Sequence, residues 1–122
     1  MSRAVFPRDE MPAPIPLYRN TQVAGTPVTP AEFVNLAKLP IQVVYGDNIP
    51  KQPVPDLVAD GRRAQQEASQ LFVQKLNSKG GNASVLLLPD VGLYGNSHFM
   101  FSDLNNVEVA DQMSLFLSAS LV

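Results

Sequence analysis

The residue best suited to chemistry is His98, the sole histidine of the 122-residue chain. It stands in Gly95-Asn96-Ser97-His98-Phe99, a loop that follows the apolar run at 84–88. Imidazole changes charge near neutral pH, and a loop position beyond a strand end is where a general base is commonly held. Gly92 and Gly95 allow the tight turns such a loop needs. A second candidate, Asp47, follows a second apolar run at 41–45. Its carboxylate could orient an imidazole, or it could simply shape the turn. A base needs a nucleophile to activate, and none is evident. There is no cysteine, and the Gly-x-Ser-x-Gly elbow that exposes a serine on a strained turn does not occur. Gly95-Asn96-Ser97-His98-Phe99 lacks the second glycine and the following helix. Ser97 and His98 form no dyad, because adjacent side chains in extended backbone point apart. Tyr94 and Phe99, with Met100 and Phe101, could line a substrate pocket or pack as ordinary loop side chains.

The elements that must hold these residues alternate. Pro7, Pro12, Pro14, Pro16, Pro27 and Pro30 all precede residue 31. Each fixes φ and removes a donor, so 1–28 reads as an irregular arm crossed by neither helix nor central strand. Thr29 and Pro30 read as an N-cap and first helical residue, opening a helix over 31–38 that Pro40 ends. The run IQVVY at 41–45 is a buried strand. Three prolines make 47–60 a loop. A long helix is expected from about Arg62 to Ser78, with Ala64, Ala68, Leu71, Phe72, Lys75 and Leu76 on one face and Gly80 and Gly81 as its stop. SVLLL at 84–88 is continuously apolar, as strands buried on both faces are. A last helix starts near Asn105. Asn105 and Glu108 resemble a capping box, and Val107, Ala110, Met113, Leu117 and Leu121 form the apolar stripe.

The chain thus reads as α/β: a partial parallel sheet of two clear strands and three helices over 29–122. Two strands apolar on both faces would leave two unpaired edges. The sheet therefore belongs to something larger, or is completed by a homo-oligomer. Composition narrows the remaining classes. The net charge is -2 with no run of like sign, so there is no basic footprint for nucleic acid. A lone histidine without cysteines is a poor recipe for a transition-metal site, and no cofactor is implied. No apolar run reaches the roughly 20 residues that span a bilayer. The first residues lack the apolar core of a signal peptide, which leaves the compartment unread.

Three strings carry a family resemblance. LPIQVVYGDNIP at 39–50 resembles the seventh-strand region of bacterial α/β-hydrolase-fold esterases. Gly95-Asn96-Ser97-His98, then Asp103-Leu104-Asn105-Asn106 and Val109-Ala110-Asp111, resembles their catalytic-histidine loop and final helix. The likeness covers 1–122, most firmly 39–118. It implies the C-terminal segment of a serine hydrolase domain, with chain order Ser, acid, His and His98 as general base. Many such hydrolases place the acid where Asp47 stands. The most similar group uses a Glu in a Glu-Pro-Gly turn, expected just upstream of Met1; Glu10, in PRDEMPAP, does not match it. The resemblance implies hydrolysis of a small-molecule carboxylic ester, with the serine supplied by an N-terminal portion outside these residues. The chain alone is then expected to be inactive. The alternative is a non-catalytic interaction module on a hydrolase-derived scaffold.

Overall fold

The computed structural model describes residues 4–19 and 21–120. The chain divides into two compact units, one of Met1–Ile41 with Ile49–Ser84, the other of Gln42–Asn48 with Val85–Val122.

In the first unit the proline-rich arm is more ordered than its composition predicts. Strand β1 (Val5–Pro7) pairs in parallel with β4 (Thr26–Val28), and β2 (Ile15–Pro16) pairs antiparallel with β3 (Gln22–Val23). The expectation of an irregular arm is corrected accordingly. Prolines fit here because each ladder is only two strands wide, so a missing N–H can face away from the partner. Gly25 makes the close approach of β1 possible: a Cβ there would lie 2.5 Å from the Phe6 ring.

Helix α1 (Pro30–Leu36) begins as expected. Thr29 Oγ1 accepts from the Glu32 N–H and donates to the Glu32 carboxylate, a reciprocal cap. Helix α2 spans Leu57–Ser78, five residues longer at its start than the periodicity indicates. The Asp56 carboxylate caps it by accepting from Val58 and Ala59 N–H, and that signal lay hidden among the prolines. Its end is a Schellman turn: Gly80 at φ +84° donates to Asn77 C=O and Gly81 donates to Leu76 C=O. The unit's core joins Phe6, Phe33, Ala64, Val73 and Leu76. Phe72 meets Phe6 and Phe33 edge-on, at 6.4 and 6.0 Å between ring centres.

A charged clasp lies in the same unit. Asp60 and Arg63 are 2% and 4% exposed and paired at 3.0 Å. The Asp60 carboxylate also accepts from Tyr18 and Val54 N–H, while Arg63 donates to Pro16 C=O and to Glu67. Every charge is matched, which is the condition for burying one. The Tyr18 N–H first, then Arg63 and the Val54 N–H, hold the Asp60 carboxyl below the usual range against the opposing effect of burial. The clasp fixes β2 and the loop at 49–56, through Val54, to the first turns of α2.

Strands β5 (Pro40–Tyr45) and β6 (Asn82–Leu87) are neighbours in a two-stranded sheet, joined through α2. Their apolar side chains are only half-buried: Val43, Val44, Val85, Leu86 and Leu87 all retain exposure. The expected burial on both faces is therefore not reached among the described residues.

The second unit gathers Leu88, Met100 and Val109, with Val44, Leu86 and Leu93 against them. Helix α3 spans Asn106–Ser120. Its buried side is not the stripe expected from the sequence. Val109 is fully buried and Met113 and Phe116 partly so, whereas Val107 and Leu117 are 67% and 53% exposed. Leu121 lies outside the described residues. The helix is apolar on more than one face, so period alone could not choose between them.

Candidate functional site

The two candidate site segments belong to the second unit, and backbone contact joins them. The Asp47 N–H donates to Asn96 C=O at 2.7 Å. The Asp47 carboxylate accepts from Gly95 N–H and from Asn48 N–H, each at 2.7 Å. Those two donors, Gly95 first, hold its carboxyl below the usual range. Gly46 makes the approach possible, since a Cβ there would fall 2.5 Å from Asn96 O and 2.6 Å from Ser97 O. Gly92 and Gly95, at φ +80° and +77°, supply the turns that bring the loop back.

The loop is locked further along. Asn96 is 2% exposed and exchanges two side-chain hydrogen bonds with Asn105, donating to its Oδ1 and accepting from its Nδ2. It also donates to Asp103 at 3.1 Å. Asp103 accepts from Ser97 N–H at 2.8 Å and from Ser97 Oγ at 3.0 Å. Ser97 Oγ in turn accepts from Phe99 N–H at 3.1 Å. The Ser97 amide, its hydroxyl and Asn96 together hold the Asp103 carboxyl below its ordinary value. Asn105, read from the sequence as the cap of the last helix, spends its side chain on Asn96 instead. The capping box with Glu108 is not made.

His98 sits between the clamped residues and is exposed. Its ring meets Phe99 edge-on at 5.5 Å. Among the described residues no side chain hydrogen-bonds to the imidazole. The structure thus brings Asp47 to the histidine loop but spends its carboxylate on the loop backbone rather than on His98. Tyr94 and Phe99 are exposed, at 69% and 72%, as are Phe101 and Leu104. They stand around the histidine as exposed side chains. A cleft of about 450 Å³ does occur in the first unit, lined by Phe6, Met11, Leu71 and Lys75 among others, and contains none of the expected site residues.

Sequence reasoning singled out His98 and Asp47, took Asn105 as a helix cap, and gave Asn96 and Asp103 no role beyond their place in the family resemblance. The usable signal was spacing: short amides and carboxylates at 96, 103 and 105 around a Gly-rich loop are side chains that bond to backbone and to each other. Chemically, the arrangement presents one exposed imidazole on a loop whose backbone is fixed on both sides. Among the described residues no group of three or more His, Cys, Asp or Glu is placed to hold a metal ion, and no helix is long and apolar enough to cross a membrane.

No family model matches the chain, and no curated protein matches it. Among solved structures, the chain is similar to one described as the atomic-resolution structure of a novel bacterial esterase, with 30% identity and a TM-score of 0.64. The match covers 79% of this chain and 28% of that one. The chain therefore spans less than a third of the esterase it resembles. The fold is mixed α/β with three helices and small two-stranded sheets, one of them parallel, and a structural neighbour is described as an esterase.

Proposed function

We propose that this chain is the histidine-bearing part of an esterase-like serine hydrolase, acting on carboxylic esters once residues outside it supply the nucleophile. The observation that carries the reading is His98: an exposed imidazole to which no side chain among the described residues hydrogen-bonds, on a loop braced at Gly95, Ser97 and Phe99. The similarity to a bacterial esterase over 79% of the chain supports the scaffold. The half-buried faces of β5 and β6 support a sheet that continues beyond these residues.

In the assembled enzyme, His98 takes the proton from a serine hydroxyl as that oxygen attacks the ester carbonyl, then returns it to the leaving alcohol. A carboxylate orients the imidazole from its other nitrogen. Asp47 is already committed to Gly95 and Asn48, which favours a carboxylate from outside the chain in that role and leaves Asp47 to shape the loop. Backbone N–H groups near the serine stabilise the oxyanion. Tyr94 and Phe99 then border the substrate.

The test is complementation. The chain alone is expected to release no p-nitrophenol from a p-nitrophenyl ester, whereas a mixture with the serine-bearing portion of a similar esterase releases it. Turnover by the chain alone would refute the division of labour. Turnover by the mixture that survives His98→Ala would favour the alternative, a scaffold serving only to bind its partner.

A further inference from the structure

The residues flanking His98 are tied to one pair of side chains. Ser97 donates its N–H and its hydroxyl to the Asp103 carboxylate at 2.8 and 3.0 Å. The same hydroxyl oxygen accepts from the Phe99 N–H at 3.1 Å. The backbone N–H groups of the residues on either side of His98 are therefore held, Ser97 by Asp103 and Phe99 by the Ser97 hydroxyl, while among the described residues no side chain bonds to the His98 imidazole. Asp103 is in turn held by Asn96, which is buried and doubly bonded to Asn105 at the foot of α3. We infer that Ser97 and Asp103 are positioning residues that fix the backbone of His98 before any nucleophile or substrate is present.

The inference rests on the proposed function only for its purpose; the geometry stands without it. Here the hydrogen bonds run to Ser97, Phe99 and Asn96, and the side chain at the tip is left outside. Preset geometry is what a general base requires, because a displacement of about 1 Å costs on the order of 100-fold in rate.

A single histidine makes the test direct in the full chain. The backbone ¹⁵N order parameter of His98 is expected near about 0.85 in the wild type and below about 0.6 in Ser97→Ala and Asp103→Asn. The Phe99 amide is expected to exchange with solvent at least about tenfold faster in Ser97→Ala. Ser97→Thr, which keeps both donors and the acceptor, is expected to restore both values. Far-UV circular dichroism checks that each variant is folded, and Ser97→Ala, at an exposed position, is the one to rely on if Asp103→Asn fails. An unchanged order parameter and exchange rate in Ser97→Ala would overturn the inference. These measurements need no turnover. A failure of complementation by the wild-type chain would therefore count against the proposed function alone.

Discussion

The Asp103 carboxylate takes both donors of Ser97, backbone and hydroxyl, across a turn of six residues. Because Asp47 takes Gly95 in the same way, the histidine loop hangs from two carboxylates, one on each side of Asn96. Both carboxyls lie below their ordinary values for the same cause, hydrogen bonds that the charged form accepts from loop N–H groups.

That shared cause gives a pH dependence with a definite sign. A carboxylate whose folded pKa is depressed contributes fully above its unfolded value, about 3.9. The contribution is lost as pH falls through the lower folded value. The amide chemical shift of Gly95, three residues from the imidazole, is expected to hold steady from about pH 7 to about pH 5 and to move toward its unstructured value below about pH 4. Movement centred well above that range would contradict the assignment.

Gly46 and Gly95 separate two reasons for a glycine. At Gly46 the obstacle is space: a methyl group would meet Asn96 O and Ser97 O, so Gly46→Ala should break the bond from Asp47 N–H to Asn96 C=O and expose the Asp47 amide to exchange. At Gly95 nothing lies within 4 Å of an added Cβ and only the positive φ of +77° opposes it. Gly95→Ala should therefore cost about 1–2 kcal/mol while leaving the pattern of protected amides intact. Urea unfolding and amide exchange distinguish the two.

Val107 and Val109 test which side of α3 is inside. Val109 is fully buried, and Val109→Ala is expected to cost about 2 kcal/mol through lost contact and a residual cavity. Val107 is 67% exposed, so Val107→Ser should change the stability of the chain alone by less than about 0.5 kcal/mol. Equal losses at both positions would show that the helix buries the stripe its sequence suggests.

In the first unit, the Asp60–Arg63 clasp should matter more than the outer pair it adjoins. Glu67 is 46% exposed, and Glu67→Gln is expected to cost less than about 1 kcal/mol. Asp60→Ala strands the buried Arg63 and frees Tyr18 and Val54, so its urea midpoint should fall further than that of Glu67→Gln. Proteolysis within 1–28 should quicken in Asp60→Ala alone. Identical midpoints would remove the clasp from the account.

What could be read from the sequence follows from how local each cause is. Thr29-Pro30, the glycines after α2 and the two apolar strands are decided within a few residues, and the structure contains all of them. The start of α2 was missed because Asp56 sits in a proline-rich stretch whose composition argues for a loop, yet one capping carboxylate outweighs it. The ladders of the N-terminal arm were missed because each is two or three residues long and pairs across a gap that no local pattern reveals. The face of α3 was misread because Val107, Val109, Met113, Phe116 and Leu117 offer two apolar sides, and only the position of Leu88 and Met100 selects one. At the candidate site, His98 was legible as the sole histidine. Its clamp was not, since Asn105 carries an equally good signal for capping a helix and only the proximity of Asn96 diverts it.

The central claim, that His98 is a general base, is tested most directly by matching two titrations. Because the chain has one histidine, its imidazole can be titrated by NMR without overlap, and the pH dependence of kcat/KM for ester hydrolysis can be followed in the complemented enzyme. The account predicts that kcat/KM rises with pH along a limb whose midpoint coincides with the His98 titration measured in that same assembly, and that His98→Ala removes both. A rate limb that persists in His98→Ala would contradict it.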